Sequence, residues 1–298
     1  MNEKATSKWL KGVAYEVAFW NNVYRWDKTF EGMMGWSHYG DIIQLEEFDA
    51  NAFLMKENTP LVLDVGCGMS YATGNYIGDS NQGRKTINIH YVDPLANYFN
   101  NILKRHQRQM PRIEFGMMEY LSAFYKGESV SLIIIQNALD HSSQPIKGIL
   151  EAIKPLRVGG IVYLNHHPNE AVVEHYKGFH QYNIKADGQE LIIWNQSQCV
   201  SVNELIKEFA DIEVKCHDNG HVIAIIRKRC EIPDLLLEKE KHIKHLCMDI
   251  INLYESGASV SIALAHKFRY WKYNTIQFFV QSLSWEKKMR LKKLIKET

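Results

Sequence analysis

Several things are missing from this sequence of 298 residues, and each absence removes a class of protein. Cysteine occurs only at Cys67, Cys199, Cys216, Cys230 and Cys247, an odd number without a Cys-x-x-Cys pair. That pattern supports neither a disulfide framework nor a cysteine zinc knuckle, and it fits a reducing compartment. Excess charge is missing too. Lys and Arg total 35 against 34 Asp and Glu, a net charge of +1, so no general affinity for nucleic acid is expected. No apolar run approaches the roughly 20 residues that cross a bilayer. The opening MNEKATSKWLKG lacks the apolar stretch of a secretory signal. The expectation is a cytoplasmic protein without a transmembrane segment.

What is present changes character at Pro60. Residues 1–58 show no strand pattern, and aromatics crowd together from Tyr15 through Phe19, Trp20, Tyr24, Trp26, Phe30, Trp36 and Tyr39, which predicts helices and loops. After Pro60 come PLVLDVGCG, TINIHYVD, RIEF, SLIIIQ and GIVYLNHH, short apolar runs separated by enough chain for helices. Buried parallel strands read as continuous apolar runs, and the alternation predicts βαβ crossovers. YNIKA and ELIIWNQ, split by Asp187 and Gly188, predict a hairpin. VNELIKEFA predicts a helix, followed by an antiparallel pair, IEVKCHD and HVIAIIRK, joined through Asn219 and Gly220. Beyond Pro233 the patterning is helical, without repeats or low complexity. The predicted class is α/β: a Rossmann-like, mostly parallel sheet with a final antiparallel strand. A helical N-terminal cap spans 1–49, the sheet domain 50–229 and a helical C-terminal extension 230–298.

The first predicted strand runs into Asp64-Val65-Gly66-Cys67-Gly68-Met69-Ser70. Glycines at a strand-to-helix turn let the backbone approach a ligand closely. Asp93 ends the next strand, where a carboxylate can accept hydrogen bonds from ribose hydroxyls, and Pro94 suits the start of a helix. A dinucleotide fingerprint reserves for a third glycine the position held here by Tyr71, and no Gly-Lys-Ser/Thr loop occurs. A nucleoside ligand without phosphates fits better.

LVLDVGCG, the terminal Asp93, FGMMEYL, LIIIQNALDH and LRVGGIVYL, in this order and spacing, resemble the successive motifs of class I S-adenosylmethionine-dependent methyltransferases. The resemblance implies S-adenosyl-L-methionine as cofactor. It places Asp64, Gly66, Cys67 and Gly68 around the methionine moiety, and Asp93 and Pro94 at the ribose. Met117, Met118 and Glu119 border the adenine, and Asn137 follows the fourth strand. Met117 stands where many relatives carry an acidic residue or amide, which leaves the adenine contact to backbone groups and packing.

Methyl transfer is an in-line displacement at a sulfonium, so the protein must align the reactants and remove a proton when the acceptor is a hydroxyl. Ligands in open α/β sheets sit beyond the carboxyl ends of the strands, which singles out Asn137-Ala138-Leu139-Asp140-His141 and Asn165-His166-His167-Pro168-Asn169-Glu170. His141 is the favoured base, because an imidazole titrates near neutrality, with Asp140 its partner and His167 a further catalytic candidate. The competing reading makes Asp140 a turn cap and His141 a surface contact. The stretch HHPNEAVVEHYKGFHQYNI resembles a subgroup associated with bacterial surface-polysaccharide and small-metabolite modification. That implies acceptor contacts from Glu170 and His180, and O-methylation of a small or sugar-linked acceptor. N-methylation and a non-catalytic cofactor-binding scaffold are the alternatives. Several of these imidazoles and carboxylates could hold a divalent metal, as in the metal-dependent catechol-type branch of O-methyltransferases, but that branch's closely spaced carboxylates are not evident, so no metal is expected.

Trp20, Tyr24, Arg25, Trp26, Trp36 and His38 are candidates for a lid over the cofactor and acceptor, with Trp26, Trp36 and His38 as substrate contacts. The same aromatics would serve equally as a stripe packed on the sheet. The end of the chain, FRYWKYNTIQFFVQSLSWEKKMRLKKLIKE, is aromatic and then basic. Such a helix either lies against an anionic membrane surface or packs on its own domain or a twin subunit in a homodimer.

Overall fold

The run at Leu61–Val65 is buried from Val62 onward, as a central parallel strand requires, and forms β1. The computed structural model describes residues 3–79, 83–217, 220–232, 260–284, 287–288 and 290. After β1 come a hairpin, β2 (Tyr76–Asp79) and β3 (Gly83–Thr86), and then β4 (Asn88–Asp93) and β5 (Ile113–Phe115). β6 (Val130–Gln136) and β7 (Leu156–His166) follow. β8 (Asn183–Asp187), β9 (Glu190–Trp194) and β10 (Cys199–Ser201) form a separate three-stranded sheet, turned at Gly188 as the sequence predicts. β11 (Ala210–Cys216) and β12 (Val222–Lys228) complete the main sheet.

The seven strands of that sheet are ordered β5-β4-β1-β6-β7-β12-β11. Neighbours from β5 to β7 are parallel, and β12 runs antiparallel to both β7 and β11. This is the Rossmann-like, mostly parallel arrangement with an antiparallel strand near its end. From β1 the chain steps outward to β4 and β5, then returns to lay β6 on the other side of β1. That reversal opens a crevice beyond the carboxyl ends of β1 and β6.

The first crossover departs from expectation. Among the described residues between β1 and β4 there is no helix, only the loop 66–75 and the β2–β3 hairpin. Two features explain it. Tyr71 adopts a left-handed φ of 46°, which interrupts any helix starting at the glycine turn. The backbone at Gly74 is pressed against Ile42 and Ile43, where a Cβ would lie 2.8 Å from their main chain. The space a crossover helix would take is filled from the N-terminus. The helix α1 (Glu3–Arg25) sends Val13, Val17, Trp20, Val23 and Tyr24 into one apolar cluster with Met69, Tyr71, Tyr91 and Phe99. Tyr24 donates its hydroxyl to the Met69 carbonyl at 2.5 Å, which pins the loop.

The remaining helices are α2 (Asp27–Met34), α3 (Ala50–Met55), α4 (Ala96–Arg105), α5 (Pro145–Ile153), α6 (Glu170–Val173), α7 (Val202–Ile206) and α8 (Val260–Ser282). α3 is capped by the Asp49 carboxylate, which accepts from the Ala52 amide at 2.9 Å, and α5 starts at Pro145, where a missing N–H costs nothing. α5 and α7 bury Ile149, Ile153, Val202 and Ile206 in the main core with β6 and β7. On the other face Ile43 and Leu54 meet Leu132, Ile134 and Tyr163. α8 packs along α1: Asn274 Oδ1 accepts from the Asn21 and Asn22 amides, each at 2.9 Å, and Tyr15 meets Tyr273 edge to face. The helical reading of residues 233–259 and most of the basic segment 285–298 lie outside the described residues. Among the described residues no helix is long and apolar enough to cross a membrane.

Candidate active site

The turn after β1 requires glycine at two positions. Gly66 and Gly68 have φ values of 69° and 54°, in the left-handed region. A Cβ on Gly66 would sit 2.5 Å from the Ala138 Cβ, and one on Gly68 3.0 Å from the Trp20 ring. Gly66 N–H is anchored to the Val92 carbonyl at 2.8 Å. Asp93 closes the arrangement: Oδ2 accepts from Gly68 N–H at 3.1 Å and Oδ1 from Leu95 N–H at 2.7 Å. One carboxylate thus holds both the glycine turn and the start of α4.

These residues border a cavity of about 340 Å³, within the range of small-ligand pockets. Its wall includes Gly66, Cys67, Gly68, Asp93, Pro94, Met117, Met118, Glu119, Asn137 and His141, ten of the residues anticipated from sequence, together with Trp20. Cys67 is buried, and burial pushes its thiol up. Burial also raises the Asp93 carboxyl to about 7, against the two amides that favour its charge, with Glu16 and Asp64 adding repulsion.

Asp64, Trp26, Trp36, His38 and His167 lie off that wall, and Glu119 reaches it from a buried, hydrogen-bonded position. Asp64 is buried behind the cavity wall, where Oδ2 accepts from the Thr73 hydroxyl at 3.0 Å and burial raises its carboxyl to about 7. Glu119 is buried, and its Oε1 takes three donors: the hydroxyls of Ser142 and Ser143 and the Ser143 amide, at 2.7 to 2.9 Å. It ties the segment after β5 to the one after β6. Trp26 meets Phe278 of α8 with its ring tilted, Trp36 is 82% exposed, and His38 faces Asp41 in solvent. None of these three lines the cavity, because α1 turns only its Glu16–Trp20 stretch inward. His167 is exposed, its ring against His221 at 4.0 Å; its amide donates to Asn137 Oδ1 at 2.8 Å, joining the loops after β6 and β7.

Beside the cavity lies a compact polar cluster. A single 3₁₀ turn, Leu139–His141, buries Asp140 and leaves His141 on the cavity wall. The turn at Gly178 brings in His180, whose Nδ1 is 2.7 Å from Asp140 Oδ2. His141 Nε2 lies 3.7 Å from the same oxygen, and Glu170 Oε2 3.9 Å from His180 Nδ1. Burial acts to raise the Asp140 carboxyl, but the imidazoles of His141 and His180 outweigh it and hold it below the usual range. His180 moves up: burial opposes its charge, yet the bond to Asp140 and the carboxylates of Asp140 and Glu170 prevail. Burial and Asp140 push Glu170 up to about 7.

Glu16, Ser142 and Phe179 are among the cavity residues that were not anticipated. Glu16 accepts from the Trp20 indole N–H at 2.8 Å, an i, i+4 pair visible as spacing but not as function. Phe179 packs over Gly12, where a Cβ would fall 2.5 Å from its ring, so α1 holds the turn that carries His180.

No family model matches the sequence, and no curated protein matches it. Solved structures to which the chain is similar include the N-methyltransferase NodS from Bradyrhizobium japonicum in complex with S-adenosyl-L-homocysteine. It is 14% identical over 60% of this chain and 82% of that one, with a TM-score of 0.35. A T. thermophilus 16S rRNA methyltransferase, RsmC, in complex with AdoMet and guanosine, is 12% identical over 64% of this chain and 42% of that one, with a TM-score of 0.34. The trans-methyltransferase CalH in complex with SAH is 12% identical over 60% of this chain and 54% of that one, with a TM-score of 0.40.

Proposed function

We propose that this protein is an S-adenosylmethionine-dependent methyltransferase that methylates a hydroxyl oxygen of a small or sugar-linked acceptor. The observation that carries the reading is the cavity at the strand-order reversal, where a buried carboxylate, Asp93, sits beside a two-glycine turn without phosphate-binding features. In this reading Asp93 accepts the ribose hydroxyls, the backbone of 66–68 lies along the amino-acid part, and Met117 and Met118 pack on the adenine. The carboxyl groups of Glu16 and Asp93 on the wall suit a ligand that carries a sulfonium. Glu119, whose Oε1 is engaged by Ser142 and Ser143, shapes the adenine end through those residues.

The acceptor enters on the side of His141 and Phe179. Its oxygen forms the new O–C bond as the C–S bond breaks, the electron pair stays on sulfur, and a neutral thioether leaves. The hydroxyl proton must also leave, and the Asp140–His141–His180 cluster beside the cavity supports an oxygen rather than an amine acceptor, since an unprotonated amine needs less help. Transfer of labelled methyl from the cofactor to a panel of hydroxylated small molecules and glycosides tests this. His141→Ala is expected to keep S-adenosylhomocysteine binding and lose turnover. Full turnover in that variant, or labelling of amines alone, contradicts the assignment.

A further inference from the structure

The polar cluster beside the cavity is built more like a metal site than a hydrogen-bonded relay. Asp140 is buried, yet only Oδ2 has a partner; Oδ1 and His141 Nε2 are both shielded from solvent with no hydrogen-bond partner among the described residues. His141 Nε2 stands 3.7 Å from Asp140 Oδ2, too far for a hydrogen bond. Donor atoms of Asp140, His141 and His180 all lie within 4.8 Å of one another. Ligands at zinc bond lengths of about 2.0–2.1 Å around a tetrahedron sit about 3.3 Å apart. The two separations from Asp140 Oδ2, 2.7 and 3.7 Å, bracket that spacing, and the His141 and His180 donors lie within 4.8 Å of each other, a gap that turns of the two rings would close.

We propose that Asp140, His141 and His180 bind a divalent first-row transition-metal ion, zinc by donor type and number, with an open position toward the cavity. Three protein ligands with a vacant fourth position is the arrangement of catalytic rather than structural zinc. Spacing alone does not single out this set, because it is drawn from positions 140 to 180 and is assembled only when the Gly178 turn docks on the segment after β6. Its backbone is held there, with Gln181 N–H donating to the Asp140 carbonyl at 3.4 Å. The role rests on the methyl-transfer reading: an acceptor hydroxyl bound at the open position loses its proton to solvent and attacks as a metal-held oxyanion. Binding of the ion itself does not depend on that reading.

The test uses the full chain, stripped with a chelator and titrated with Zn²⁺ against a chromophoric competitor, then with Co²⁺ to read visible d–d absorption. One ion per chain is expected, with affinity falling about tenfold or more in His180→Gln and Asp140→Asn and unchanged in His221→Ala. Circular dichroism on each variant shows whether it has folded, and variants are compared only when it has. Wild-type protein that binds no ion, or binds no more tightly than folded His180→Gln, overturns the proposal. Because the titration contains no cofactor, loss of S-adenosylhomocysteine binding with intact metal binding sinks the methyltransferase reading alone, and the reverse sinks this one.

Discussion

Replacing Asp93 with Asn is expected to flatten the pH dependence of cofactor binding, and the size of the effect follows from where Asp93 sits. In the free protein burial raises this carboxyl to about 7. A carboxylate that receives ribose hydroxyls favours its charged form, so the bound state draws the value back toward the ordinary 3.9 or so. Cofactor therefore binds the ionised form, and protonation competes with it. Between pH 8 and pH 6 the ionised fraction of a group titrating near 7 falls from about nine-tenths to about one-tenth, which weakens binding about tenfold, or about 1.4 kcal/mol. The groups facing Asp93 are Glu16, Asp64 and Cys67. Asp64 is also raised to about 7, and a proton on it relieves its repulsion of Asp93, so Asp64→Asn separates the two contributions. The free protein responds with the opposite sign. A carboxyl raised by folding contributes stability that is complete below its unfolded value and is lost as pH rises through about 7, so acidification from pH 8 to 6 stabilises the empty protein through Asp93. Calorimetric titration with S-adenosylhomocysteine at both pH values, in wild type and Asp93→Asn, cancels the ligand's own titration. Equal slopes in the two proteins, or tighter wild-type binding at the lower pH, would refute the reasoning.

Three further substitutions probe the architecture around the cavity. Gly66→Ala forces a side chain into a left-handed position 2.5 Å from Ala138, so it is expected to lose about 1–3 kcal/mol of stability in urea unfolding and most of its cofactor affinity. An unchanged midpoint would mean the turn is not held as described. Glu119→Ala removes the acceptor shared by Ser142 and Ser143, and the expected loss is about 1–3 kcal/mol, with turnover falling more than cofactor affinity. Asn274→Ala takes away the oxygen that accepts from Asn21 and Asn22, and a lower thermal midpoint, corresponding to about 1 kcal/mol, is expected if α8 stabilises α1.

The sheet was legible because its central strands are buried on both faces and so read as apolar runs, as at Leu132–Ile135. The glycine turn and Asp93 were legible because β1 and β4 are adjacent parallel strands, which brings their carboxyl ends together. The missing crossover helix was not, since what displaces it is tertiary: α1 fills that side of the sheet, and the Tyr71 conformation is fixed by its burial among Tyr39 and Tyr91. Aromatic density in residues 15–39 is also ambiguous by itself. Trp20 faces the cavity while Trp26 and Trp36 do not, and only the direction of α1 decides which. The Asp140–His180 contact depends on a turn docking against α1 through Phe179 and Gly12, a long-range packing event that local spacing cannot report.

Calorimetric titration of the purified wild-type protein with S-adenosylmethionine and S-adenosylhomocysteine, beside NAD and ATP, bears most directly on the proposed cofactor. Binding of the two adenosyl sulfur compounds with a Kd in the micromolar range, about −8 kcal/mol, and no heat from the phosphate-bearing nucleotides is the predicted result. Preference for NAD or ATP, or no binding of either adenosyl compound, would contradict it.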